Sequence, residues 1–116
     1  MDGGLVGSVP LYQAKAELFR SLGHPLRIRV LELLSDGPLA VRDLLEKVDV
    51  EAPSLSQQLA VLRRAGMVSA SRDGTSMVYA LATPAVADLL AAGRSLLGSV
   101  LTDRDALLEE LRADDA

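Results

Sequence analysis

Between Ala52 and Val68 the sequence runs APSLSQQLAVLRRAGMV, a helix-patterned stretch whose two faces ask for different surroundings. Leu55, Leu59 and Leu62 recur at helical spacing and mark a buried stripe. The opposite face carries Ser54, Ser56, Gln57 and Gln58, and the stretch closes with Arg63, Arg64 and Gly66. An ordinary solvated face is better served by Glu and Lys, which lose little rotamer freedom in a helix and pair four residues apart. Serine and glutamine both donate and accept hydrogen bonds, which suits a surface that lies against the edges of base pairs.

Nothing else in the chain composes a reaction centre. It has no cysteine, which excludes disulfides, thiolate metal sites and thiol redox chemistry. There is no glycine-rich phosphate loop, and the one histidine, His24, has no Ser/Asp constellation around it, so an enzyme is not expected. His24 precedes Pro25 at a helix start, where its bland role is to cap or pack and its sharper role would be to ligate a metal. Asp103, Asp105 and Glu109 supply oxygens for a hard or borderline cation, or form a solvated acidic helix face.

At 116 residues the chain is long enough for one domain with a true core. Nearly half of it is apolar, yet only 3% is aromatic, so Leu, Val and Ala must do the packing, which favours close-packed helices. No basic leader opens it, and no run of eighteen uncharged apolar residues interrupts it; a soluble, cytoplasmic protein without a membrane partner is expected. The net charge of −4 is a property of the last residues: from Asp103 onward six carboxylates face two arginines, and the first 102 residues balance. Within 53–80, Arg63, Arg64 and Arg72 stand against Asp73 alone. An acidic end keeps the chain soluble and blunts non-specific attraction to DNA.

The elements that must position these residues follow from periodicity. Residues 1–10 are Gly-rich and unpatterned, as in a flexible arm. LYQAKAELFRSLG places Leu11, Ala14, Leu18 and Leu22 at helical spacing and closes on Gly23. HPLRIRVLELLSDGP starts a second helix at Pro25, with Leu26, Val30 and Leu33 on one stripe. LAVRDLLEKV is a third, burying Val41, Leu44, Leu45 and Val48, and after the turn DVEAPS the fourth begins at Pro53 or Ser54. Two short helices about a tight turn, the second with a polar outer face, make a helix-turn-helix. After Gly66 the period falls from 3.6 to 2: MVSASR and SMVYAL form a hairpin wing across RDGT, where Asp73-Gly74 suits the positive φ of a tight turn.

A last helix starts at Thr83-Pro84 and is expected to reach about Leu111 with a break near Thr102, dividing a domain over 11–102 from an acidic helix end and tail over 103–116. Its Leu89, Leu90, Leu96, Leu97 and Val100 exceed what one small core needs, and with Leu11, Ala14 and Leu18 of the first helix they are the expected surface of a homodimer; the alternative is that they close the monomer's own core. The fold class expected is mainly α with a small β-hairpin wing: four helices, the hairpin, and a fifth helix.

The runs LFRSLGHPLRIRVLELL, LAVRDLLEKV, PSLSQQLAVLRRAGMV and RDGTSMVYAL, spanning about residues 15–82, resemble the ArsR/SmtB family of bacterial winged helix-turn-helix regulators. The resemblance implies a dimeric transcription factor on a palindromic double-stranded operator, usually a repressor. It assigns Ser54, Ser56, Gln57 and Gln58 to major-groove reading, Arg63 and Arg64 to phosphates, and Arg72, Gly74 and Thr75 to the backbone or flanking minor groove. For Ser54 the plain alternative is an N-cap, and for Gln58 a solvated helix position. Metal sensing in such families uses Cys-x-Cys before the recognition helix, which falls here on Ala40 and Arg42, or His and carboxylates on the last helix, which fall near Thr83, Ala85, Leu96 and Ser99. No position of either set can ligate as the pattern requires. The cysteine-free, Ala/Leu/Arg-rich composition is similar to members that control nickel-dependent genes, which brings in Ni²⁺ as an effector, held weakly by oxygen and nitrogen ligands or sensed by a second regulatory protein. A small organic ligand at the dimer interface, or an interaction module that does not bind DNA, are the alternatives.

Overall fold

The computed structural model describes residues 9–115, with side chains to Ala113; the arm expected over 1–10 therefore lies outside the described residues except for Val9 and Pro10. The elements are α1 (Leu11–Ser21), α2 (Pro25–Leu34), β1 (Leu39–Ala40), α3 (Val41–Lys47), α4 (Ala52–Arg64), β2 (Val68–Asp73), β3 (Ser76–Leu81) and α5 (Pro84–Asp115). The mainly helical winged fold is as expected, with a third strand added.

Each boundary has a local cause. Pro10 precedes α1, and its carbonyl accepts the Gln13 and Ala14 N–H groups. His24 caps α2: its Nδ1 accepts the Leu26 N–H at 3.1 Å, while Pro25 fills the first helical position, where no N–H is needed. Arg27 donates from Nη1 to the Ser21 carbonyl at 2.9 Å, tying the end of α1 to the start of α2. Along α2 the stripe expected at Leu26, Val30 and Leu33 is turned: Val30, Leu31 and Leu34 are buried, and Leu26 and Leu33 only half-buried.

The third helix was expected from Leu39, but Leu39 and Ala40 are extended and pair antiparallel with Tyr79 and Val78. The open edge of β3 accepts a two-residue strand too short to carry any periodic signal. The sheet order is β1-β3-β2, with β2 and β3 in register from Val68↔Leu81 to Asp73↔Ser76. The hairpin turns on Gly74-Thr75, one residue later than the Asp73-Gly74 dipeptide suggested. Only Gly74 has positive φ, at 65°, which is the II′ pattern with glycine first, not the I′ pattern of Asp-Gly.

At the end of α4, Gly66 adopts φ 78°, the Gly66 N–H reaches the Arg63 carbonyl at 3.1 Å and the Met67 N–H reaches the Leu62 carbonyl at 3.0 Å. This is a Schellman closure, and its apolar contact is supplied by buried Leu62 and Met67. It turns the chain from recognition helix into β2 within three residues.

Thr83 opens α5, its Oγ1 accepting the Ala85 N–H at 3.3 Å. No break occurs near Thr102: the helix is continuous for 32 residues, about 48 Å at 1.5 Å per residue. Thr102 Oγ1 donates to the Gly98 carbonyl at 2.9 Å, so its hydroxyl is satisfied along the helix instead of competing with the helical backbone. Leu89 and Leu90 are half-buried against the core and serve the chain's own packing in part. By length and composition α5 is apolar enough to cross a membrane, although Asp88 and Arg94 interrupt it and Val86 is locked in the core.

Gly66→Ala places a Cβ on a left-handed backbone and should lower stability by about 1–2 kcal/mol. Urea unfolding followed by circular dichroism checks this; an unchanged midpoint would mean that the closure does not hold α4 to β2.

Candidate nucleic-acid interface

The interface is built on α4. Leu55, Leu59 and Leu62 are buried against α2, which fixes how the 13-residue helix can rotate about its axis. At 100° per residue, the direction opposite that leucine stripe is occupied by Gln57 and, two turns on, Arg64. Ser56 and Arg63 flank one side of this line and Ser54 the other; all five are exposed.

Gln58 is different. It lies beside the leucine stripe, half-buried, with its Oε1 enclosed and without a hydrogen-bond partner among the described residues. It is neither the freely solvated residue nor the open base reader considered from sequence. The capping role considered for Ser54 does not occur either. α4 starts at Ala52 with Glu51 at the N-cap position, no side chain caps it, and Ser54 stands at the third helical position with its own N–H on the Glu51 carbonyl at 3.0 Å. Pro53 explains the earlier start, since its fixed φ suits the first turn.

The wing carries Arg72, Gly74 and Thr75 at its exposed tip, with Ser71 exposed beside them. Arg72 is opposite Met77 in the register, and no carboxylate occurs between Ala52 and Arg72. The reading helix and the wing stem therefore share a cationic, hydrogen-bonding surface in a chain whose net charge is negative. Arg42 and Lys47 are also exposed, on α3, the helix that precedes α4.

The metal candidates do not converge. His24 Nδ1 is occupied by the α2 cap. Asp105 and Glu109 share a face of α5 at i, i+4, but Asp103 lies at least 120° around the helix from both, and among the described residues no three His, Cys, Asp or Glu side chains gather as a metal site would require. Ala40 at the end of β1 and Arg42 in α3, with Thr83, Ala85, Leu96 and Ser99, offer no ligand set at the family's sensing positions. Among the described residues of one chain, none of these sets fits a resident metal.

With that geometry in hand, comparison with known proteins is informative. Residues 24–70 match the model of the bacterial regulatory protein arsR family. The HTH-type transcriptional regulator Rv0081 of Mycobacterium tuberculosis is 55% identical over 107 residues, covering 91% of this chain and 94% of its own. Its crystal structure superposes with a TM-score of 0.78 over 83% of this chain and 97% of that one, at 54% identity. A biofilm growth-associated repressor of Agrobacterium fabrum is 37% identical over 75% of this chain and 80% of its own. The homodimeric winged helix-turn-helix DNA-binding domain Mb0332 of Mycobacterium bovis, a possible ArsR-family regulator, matches at TM-score 0.70 and 28% identity over 76% of this chain and 82% of that one. A core-locked helix with an acid-free polar face, a wing at its side and relatives that share nearly the whole length lead to one conclusion: the chain belongs to the arsR family of bacterial DNA-binding transcriptional regulators and is not an enzyme.

Proposed function

We propose that the protein is a homodimeric repressor that binds a palindromic operator in the cytoplasm, each copy laying α4 in the major groove and its wing over the flanking backbone. The observation that carries this reading is the outward face of α4. Gln57 and Arg64 point directly away from the leucine stripe, Ser54, Ser56 and Arg63 flank them, and no carboxylate intrudes. Gln57 can read a base edge with both ends of its amide, Ser56 can read a base or phosphate, and Arg63, Arg64 and Arg72 meet phosphates.

Two features support the dimer. None of the 11 residues of α1 is buried within the chain, although Leu11, Tyr12, Leu18 and Phe19 lie along it. A helix that short is marginal in water without packing. Beyond Leu90, α5 is exposed throughout its described side chains, with Leu96 67%, Leu97 57% and Val100 45% accessible. A second copy related by a two-fold axis covers both, and sets two recognition helices about 34 Å apart, one turn of DNA. The relative Mb0332 is described as homodimeric. The same two-fold pairing accounts for the long apolar α5 without a membrane.

Control by Ni²⁺ finds no ligand set among the described residues. The signal is better carried by a small ligand or a second regulatory protein.

The Gln57→Ala, Arg72→Ala double variant should bind operator more than about tenfold more weakly, the worth of one good base contact, and remain dimeric. Fluorescence anisotropy against the DNA upstream of its own gene, at fixed salt and with competitor, measures the first; sedimentation measures the second. Undiminished binding would move the reading surface off α4 and the wing. In the same assay, chelator and added Ni²⁺ should each leave the operator affinity unchanged, and a shift of tenfold with Ni²⁺, about 1.4 kcal/mol, would restore a metal sensor to the account.

A further inference from the structure

One apolar stripe of α5 serves two partners. Val86, Leu89 and Leu90 pack on the chain's own core, and Leu96, Leu97, Val100, Leu107 and Leu111 continue the same third of the helix circumference with nothing against them. From Leu96 to Leu111 the open part is about 22 Å long at 1.5 Å per residue, and Arg104 is the one charged residue on it. Where α5 leaves the core a groove of about 470 Å³ opens, with Phe19, Leu22 and Ile28 on one side and Leu90, Gly93 and Leu97 on the other. A Cβ built on Gly93 would meet nothing within 4 Å, so the chain's own packing does not call for glycine at a mid-helix position where alanine makes the better helix. Its missing side chain makes room only for something that enters the groove. Arg94 at the rim forms no ion pair among the described residues, and neither does Asp105.

We propose that each groove receives the far end of α5 from a second copy, the two helices running antiparallel with Leu107 of each copy over Gly93 of the other and Val100 on the two-fold axis. This rests on the homodimer reading and specifies the pairing within it.

The side chains on the stripe select that arrangement. A parallel pair would set Arg104 against Arg104 in an apolar seam and Gly93 against Gly93, leaving a charge clash and a void. In an antiparallel pair about a two-fold axis, like flanks of the two stripes face each other. Arg94 and Asp105 lie on the same flank of α5, and with Gly93 opposite Leu107 each Arg94 comes within one residue of Asp105 of the other copy. Two ion pairs therefore close the seam, one on each side of the axis. Sliding the helices by one turn loses the fit. In one direction Gly93 meets Asp103 in place of a leucine; in the other the two Arg104 side chains come to about 6 Å apart along the seam, where the proposed register keeps them about 12 Å apart. The length of α5 beyond its own core thus has an occupant for its stripe, and the groove has an occupant for its glycine.

The chain has no cysteine, so single substitutions report the pairing without background. With oxidised glutathione as the oxidant, Val100→Cys should give a disulfide-linked dimer, because a residue meets its own counterpart only on the axis. Leu96→Cys and Leu107→Cys, about 12 Å and about 21 Å along the seam from their counterparts, should stay uncross-linked. An equimolar mixture of the Gly93→Cys and Leu107→Cys proteins should cross-link one to the other. Arg94→Asp should weaken the dimer about tenfold in sedimentation, since both ion pairs turn repulsive, and adding Asp105→Arg should restore the wild-type value. Cross-linking at all three single positions would mean a parallel pair, cross-linking at Leu96 or Leu107 in place of Val100 another register, and no rescue by Asp105→Arg a seam without this ion pair; each overturns the proposal. A dimer that Val100→Cys does not capture sinks this seam and leaves the homodimer reading, whereas a wild-type chain that sediments as a monomer sinks that reading itself.

Discussion

Everything the molecule presents to the outside depends on how firmly α4 is held in rotation. Three leucines, Leu55, Leu59 and Leu62, are fully enclosed against Val30, Leu31 and Leu34 of α2, and each is worth roughly 2 kcal/mol of burial. Rotating α4 by half a turn would bring Gln57 and Arg64 into that apolar space, where an unpaired polar group costs more than the packing could return. The core thus selects which side chains face outward. The Schellman closure at Gly66 adds an end stop, because buried Met67 and Val68 can enter the sheet only if the helix ends at that rotation.

That constraint explains which parts were legible in the sequence. The leucine stripe of α4, the change of period after Gly66 and the proline-marked starts of α2 and α5 are local patterns, and each element exists where its pattern lies. What the sequence hid is tertiary or sub-periodic. β1 is two residues long and exists because β3 has an edge to offer; no periodicity can announce it. The hairpin residues Asp73-Gly74-Thr75 admit two turn geometries, and the pairing Asp73↔Ser76 chooses between them. A break was expected near Thr102, but its hydroxyl bonds back to the Gly98 carbonyl and the helix continues.

The candidate site divides the same way. The polar face of α4 was readable because composition on a helix face is a statement about its surroundings. Gln58 was not separable from Gln57 by type; a difference of one residue turns it by 100°, from the outward line to the edge of the core. His24 stood as either cap or ligand until the helix start was fixed, and the bond from the Leu26 N–H then uses the nitrogen that a ligand role would compete for.

The distribution of charge completes the physical picture. A chain with net charge −4 approaches a polyanion, yet its acidic surplus lies beyond Leu101, past the turns of α5 that pack on the core through Val86, Leu89 and Leu90. At physiological salt charges more than about 8 Å apart on an exposed surface are largely screened. From Leu90, the last residue of α5 packed on the core, to Asp103 is about 20 Å of helix at 1.5 Å per residue, more than twice that screening length. In low salt, where the screening length grows, the same carboxylates oppose non-specific contact with a polyanion. Around α4 and the wing stem the nearest charges are instead those of Arg63, Arg64 and Arg72. Distance and screening together therefore leave a locally cationic surface on a chain whose net charge is negative.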